Sequence, residues 1–414
     1  MDESSQAQTR STPPHSPLQS ELQDAIGAEI NEQTYEFASN TVAKMLSPKR
    51  LIKRPKGMEI PQPSLNDFKY LIDEPAVKDA MQFPELAPLK EHTGWNQNSE
   101  APNYAPLVAF LNQCVEICDD IYDSIDLTKL HQLKKRNPKP TFRIVGRARR
   151  WLPHLRFMVY DRPTREGIHS AKPLKPDFVG VDDAEMQGEK DVVCCWSPPS
   201  PDASMEKKGK DIRNLQIKVA GEVKAGWSEM VKQAGTYARG MFTASPLRSF
   251  ALVIAFNHTK QELRYLIFHH GGLSASKALK LADPSDCRGI VKILLSVLLW
   301  QSPADAGLPR FTDGHEFCLP EPFKGVFNVD RVLYQTLSIR GRNTYVARLQ
   351  QPRTKASKQS AIPDTKSTDR SEDTLSRSTP RKDPPWQFRR TTIASRATTQ
   401  CKHTASRPTV SLIS

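Results

Sequence analysis

Glu222 and Lys224 stand two residues apart in the run Val219-Ala-Gly-Glu-Val-Lys224, and Asp177 follows a proline well upstream. Leu215, Ile217, Val219 and Val223 alternate with Gln216, Lys218, Glu222 and Lys224, which predicts a strand over 215–224 with Glu222 and Lys224 on one polar face. Their Cα atoms are then roughly 7 Å apart, from a rise of about 3.3 Å per residue. Pro176-Asp177 opens a second predicted strand, Phe178-Val-Gly-Val181, and neighbouring strands would bring Asp177 close to Glu222. Two convergent carboxylates suit a hard, oxygen-seeking Mg2+ and leave positions for water and a phosphate oxygen. A lysine beside them can orient or activate the attacking water and offset charge on a phosphorane-like transition state. The candidate metal ligands are therefore Asp177 and Glu222, and the candidate catalytic set is Asp177, Glu222 and Lys224.

The elements that must position these residues follow from periodicity. A helix is expected over 228–242, with Met230, Ala234, Tyr237 and Met241 as its inward stripe. Gln233 and Tyr237, four apart, share one side, so Gln233 is a polar side chain aimed near the core or the site and needs a hydrogen-bond partner. Strands are expected at 142–151, 156–160, 191–196, 249–256 and 263–269, with turn-like residues at 257–259 and a polar, proline-rich loop at 197–210. Buried amphipathic helices are expected over 104–125 and 286–300, and one or two helices over 18–45. Arg147, Arg149 and Arg150 fit a solvated surface as well as a strand. This pattern is an α/β or α+β fold, a mixed sheet flanked by helices.

Composition bounds the rest. The chain has 414 residues, 33 prolines and a formal charge of +13, with mean hydropathy −0.55 and a pI near 9.3. The charge admits an anionic partner such as nucleic acid, although much of the excess lies after Pro352. The 7 cysteines form no CxxC and no secreted framework. Cys114 and Cys118, one helical turn apart, read as small apolar residues on a buried face. The polar start is no signal peptide, and Ile290–Trp300 is too short to span a bilayer and contains Lys292. A soluble intracellular protein without a membrane partner is expected, with nucleus and cytoplasm both open.

The order Pro176-Asp177, Glu222-Val-Lys224, Gln233-Ala-Gly-Thr-Tyr237 resembles the PD-(D/E)XK nuclease superfamily, in the branch with a Gln-x-x-x-Tyr helix after the catalytic strand. The resemblance implies a restriction-endonuclease-like core in which the acidic pair binds Mg2+ and the lysine assists the water. Gln233 and Tyr237 would shape the site or hold substrate. A wider likeness spans about 104–349. Lys175-Pro-Asp177, Gly221-Glu-Val-Lys224, Gln233-Ala-Gly-Thr-Tyr-Ala-Arg-Gly-Met-Phe242 and Leu247-Arg-Ser-Phe-Ala-Leu252 are similar to the region preceding the catalytic lobe of fungal-type protein kinases. Val332-Leu-Tyr-Gln-Thr-Leu-Ser-Ile-Arg-Gly-Arg-Asn-Thr344 resembles the first strand and nucleotide loop of that lobe. Only Gly341 stands in that loop region, no His-Arg-Asp and no Asp-Phe-Gly follow, and Asp177-Phe-Val-Gly180 lies far upstream, so neither ATP nor kinase activity is expected.

The expected organisation is a disordered 1–17, a mainly helical 18–141, a PD-(D/E)XK-like α/β domain at 142–302, the start of a kinase-like domain at 303–351 and a disordered basic tail at 352–414. That tail (Arg377, Arg381, Lys382, Arg389, Arg390, Arg396) admits polyanion binding or nuclear targeting beside the reading of a solvated segment, and Trp386 could stack on a base. His269-His270 reads as a surface or turn pair, and His315-Glu316-x-Cys318 as a loop rather than a zinc site. Three functional readings follow. The chain is a Mg2+-dependent enzyme cleaving DNA or RNA, a regulatory or binding module whose Asp177, Glu222 and Lys224 form an ion-pair cluster, or a remnant with no retained activity.

Overall fold

A computed structural model describes residues 19–30, 33–51, 68–82, 95–126, 150–165, 173–185, 192–198, 212–308, 312–313, 316–319, 325–335, 339 and 345–350. The expectations for 1–17, for 352–414 with Trp386 and its arginines, and for Arg147, Arg149, His315 and Gly341 lie outside the described residues. So do most of the 142–151 strand and of the 197–210 loop.

Helices α1 (Gln19–Ile30) and α2 (Ser39–Leu46) flank a short strand, β1 (Thr34–Phe37). A small hairpin, β2 (Lys49–Leu51) with β3 (Phe68–Tyr70), leads to α3 (Pro75–Ala80) and the long α4 (Tyr104–Ser124). Next come β4 (Leu155–Val159), β5 (Phe178–Asp182), β6 (Val192–Cys195), β7 (Arg213–Gln216) and β8 (Val219–Lys224). Helix α5 (Trp227–Ala244) is followed by β9 (Phe250–Asn257), β10 (Glu262–His269), β11 (Gly272–Ser276), β12 (Leu279–Lys280) and α6 (Pro284–Leu298). Strands β13 (Thr312–Asp313), β14 (Glu316–Leu319), β15 (Gly325–Gln335) and β16 (Tyr345–Gln350) make a separate antiparallel sheet.

The main sheet runs β1-β11-β10-β9-β8-β5-β4, with β12 on β10. It is mixed: β1 with β11 and β8 with β9 are parallel, and the other pairs are antiparallel. Helices cover both faces. On β9, Leu252, Ile254 and Phe256 pack with α2, α4 and α6, while Ala251, Val253 and Ala255 pack with α1 and α5. A strand buried on both faces reads as a continuous apolar run, which is why 250–256 lacks polar alternation. The result is a three-layer α/β arrangement. Among the described residues, no helix is long and apolar enough to cross a membrane.

Several expectations change. The predicted strand 215–224 is two strands. β7 pairs with β6 in a small parallel sheet, and only β8 joins the main one. The switch occurs at Ile217 and Lys218, whose N–H groups donate to the carbonyls of Cys195 (2.9 Å) and Gly180 (2.9 Å) respectively. Leu215 and Ile217 therefore pack on the α5 side, whereas Val219 and Val223 face α4 and α6. In 18–45 a strand separates the two helices and pairs with β11, Thr34 opposite Leu273 and Phe37 opposite Ser276. Arg150 is not on a solvated surface. It is 4% exposed, lies 2.6 Å from Asp119 and sits over the Tyr122 ring. Glu316 and Cys318 belong to β14 rather than a loop. His269 and His270 are part-buried, bonded through their rings to Ser274 Oγ and to the carbonyls of Ile339 and Arg248.

Candidate functional site

Antiparallel pairing of β5 with β8 sets Phe178 opposite Gly221. The Phe178 ring fills the space a side chain at 221 would need, since a Cβ there would come within 2.2 Å of it. That close approach carries Asp177, one residue before β5, onto the end of β8. Its N–H donates to the Gly221 carbonyl (3.2 Å), and its Oδ2 accepts from the Val223 N–H (2.7 Å). The Tyr104 hydroxyl, at the start of α4, faces the same carboxylate. Asp177 is only 6% exposed.

Glu222 is 1% exposed and points toward α5. Its Oε2 lies 2.6 Å from the Tyr237 hydroxyl. Its Oε1 is 3.2 Å from the Lys224 ammonium, off the line of an aligned hydrogen bond. Lys224 also reaches Glu100 Oε2 at 2.8 Å. On α5 the stripe Met230, Ala234, Tyr237 and Met241 is buried. Gln233 donates from Nε2 to the Tyr237 hydroxyl (3.0 Å) and accepts from Gln23 Nε2 of α1. The Tyr237 ring stacks near Trp196, with centroids 6.1 Å apart. Asp177, Glu222, Lys224, Gln233 and Tyr237 thus meet at one end of β8. Glu100 was not legible in the sequence; a single acidic residue in a polar stretch ahead of a helix carries no motif.

Burial pushes Glu222 up to about 8, and the charge of Asp177 adds to it; the Tyr237 hydroxyl and Lys224 pull in the other direction. Asp177 is raised for the same first reason, opposed by the Val223 N–H, Tyr104 and Lys224. For Lys224, burial works to lower the pKa, but the hydrogen bond to Glu100 and the charges of Glu222, Glu100 and Asp177 outweigh it and leave it raised. The hydrogen bonds agree with a proton on Glu222. The Tyr237 oxygen has three neighbours, Glu222 Oε2, Gln233 Nε2 and the Lys175 carbonyl at 3.0 Å, and one proton to give. With Glu222 protonated, Glu222 and Gln233 donate to Tyr237 and Tyr237 donates to Lys175, so the hydroxyl is satisfied and Glu222 Oε1 alone stays without an aligned hydrogen bond.

Asp177 and Glu222 are the side chains here that could hold a divalent cation. Glu222 Oε1 has no aligned hydrogen bond, and the charge of Asp177 raises the cost of ionising Glu222, which a cation would offset. Among the described residues no three His, Cys, Asp or Glu side chains are grouped to hold a metal. A cation here would therefore take Asp177 and Glu222 alone, the count Mg2+ uses when water and phosphate oxygens complete its shell. No family model matches this chain, no curated protein matches it, and no solved structure does.

Proposed function

We propose that the chain is a Mg2+-dependent phosphodiesterase acting on DNA or RNA, with Asp177 and Glu222 as metal ligands and Lys224 at the attacking water. The observation that carries this reading is Glu222: a carboxylate buried beside a second one, with an ammonium 3.2 Å away and one oxygen free of aligned hydrogen bonds. Bound Mg2+ would polarise a phosphate oxygen and lower the pKa of a coordinated water. Tyr237 fixes Glu222 Oε2 and leaves Oε1 directed at Lys224. Lys224, kept charged by Glu100, orients water and offsets negative charge on the phosphate rather than removing a proton. Gln233 and Tyr237 hold the acidic strand against α5. Paired strands carrying Asp177 and Glu222, with the Gln233/Tyr237 helix packed on the second, agree with the PD-(D/E)XK-like core that the motif order implies. The likeness to fungal-type protein kinases is part of the same proposal, which invokes no phosphotransfer step.

One observation favours a second reading, a binding or regulatory module without catalysis. Lys224 already has two carboxylate partners and Asp177 already has the Val223 N–H, so the network is largely neutralised as it stands. Cleavage assays separate the two. Plasmid, single-stranded DNA and RNA are incubated with Mg2+ or Mn2+ and either the native protein or Glu222→Gln. The nuclease reading predicts cleavage that requires the metal and falls by about two orders of magnitude or more in the variant. Equal cleavage by both proteins, or none by either, leaves the binding module.

A further inference from the structure

Because β8 and β9 are parallel, the approaches to both strands lie on one edge of the sheet, at the end opposite Glu222 and Lys224. Lys218 immediately precedes β8, and Arg248 stands two residues before β9. From Lys218 to Lys224 the chain rises about 20 Å, so this edge is a separate place from the carboxylates.

Arg248 is 5% exposed, and its Nε is enclosed with no hydrogen-bond partner. Among the described residues its guanidinium meets neither a carboxylate nor an acceptor. Among the described residues the other buried arginines are paired, Arg150 with Asp119 and Arg239 with Glu29, and the half-buried Arg156 and Arg213 share Asp183. The Arg248 backbone is anchored, its N–H donating to Ser245 O (2.9 Å) and its carbonyl 3.1 Å from His270 Nε2. A fixed backbone with a buried guanidinium that has no carboxylate partner among the described residues leaves room for an anionic one, since this group keeps its charge at neutral pH and burying it alone is costly.

A second cation, Lys218, stands at the same edge, just before the strand that pairs with β9. Lys218 Nζ is 2.6 Å from Gln216 Oε1 and 4.5 Å from the centre of the Trp151 ring, with further N–H groups to give. Burial, then the charge of Arg248, hold Lys218 down to about 8, and burial alone holds Arg248 down to about 10. Asp182 acts on Lys218 in the opposite sense, and its carboxylate is already engaged by the His154 N–H at 2.8 Å.

We propose that Arg248 and Lys218 form a phosphate-binding site, taking free phosphate or the terminal phosphoryl group of a phosphomonoester. The planar guanidinium matches two phosphate oxygens, the ammonium supplies a point charge, and together they balance a dianion. Gln216 orients the lysine, and Trp151 gives the site a flat apolar wall.

The test uses the full chain in phosphate-free buffer, titrated with inorganic phosphate or a nucleoside 5′-monophosphate at constant ionic strength. Melting temperature is followed for the native protein, Arg248→Met, Lys218→Met and Glu222→Gln. The site predicts a saturable rise in melting temperature for the native protein. That response weakens by about tenfold or more in the Arg248 and Lys218 variants and persists in Glu222→Gln. Equal responses to both anions mark the phosphoryl group alone as the ligand; a response to the ester only marks the monoester. If Arg248→Met does not fold, Lys218→Met and phosphorus NMR of inorganic phosphate with the native protein carry the comparison. No saturable response in the native protein, or variants that titrate like it, overturns the proposal. Loss of cleavage in Glu222→Gln with phosphate binding intact separates this site from the metal site.

Discussion

Burial keeps a proton on Glu222 up to about pH 8, whereas the same side chain in an unfolded chain gives it up near 4.5. Between those values the folded chain holds more protons than the unfolded one, so the metal-free protein loses stability as pH rises, by up to about 1.4 kcal/mol per pH unit. Asp177, also raised, adds in the same direction. His269, lowered by burial from 6.5, acts with the opposite sign below that value, and Lys218, held down to about 8, does so around and above 8, which leaves the span above 6.5 and well short of 8 as the clean window. Urea unfolding in the presence of a chelator is expected to show a falling midpoint across this window, and Glu222→Gln is expected to flatten it. A midpoint that rises in both proteins contradicts the assignment. Tyr237→Phe removes the hydroxyl shared by Glu222, Gln233 and the Lys175 carbonyl while keeping the buried ring. It is expected to cost about 1–3 kcal/mol in the same measurement, and a neutral result would mean the hydroxyl network does not hold the site.

At the scale of elements, the site depends on how closely β5 approaches β8. Gly221→Ala sets a methyl group against the Phe178 ring and is expected to destabilise by about 1–3 kcal/mol with reduced metal response. Unchanged denaturation would show that the strands have slack. Much of this level was legible. The α5 stripe and the 104–125 helix follow from long runs of one period, the β9–β10 pair from two apolar runs parted by turn-like residues, and Glu222 with Lys224 needs only the alternation of six residues. The break between β7 and β8 was not, because Leu215, Ile217 and Val219 keep perfect alternation while the backbone changes sheets. Nor was β1, since four residues, Thr-Tyr-Glu-Phe, become a strand only through pairing with β11. Glu100 reaches Lys224 across 124 positions of sequence, a contact set by where α4 packs and by nothing local.

Across the whole molecule, N-terminal elements complete what the central strands begin. Gln23 of α1 holds Gln233, Tyr104 of α4 faces Asp177, and Glu100 just before α4 holds Lys224. The two proposed sites lie at opposite ends of one sheet, the acidic pair Asp177 and Glu222 for a metal and the basic pair Arg248 and Lys218 for a phosphate. The most direct test of the central claim is a Mn2+ titration followed by electron paramagnetic resonance at pH 8. The account predicts one saturable site in the native protein, lost in Asp177→Asn and Glu222→Gln and retained in Lys224→Met. Absence of a saturable site in the native protein, or equal Mn2+ binding by Glu222→Gln, would contradict it.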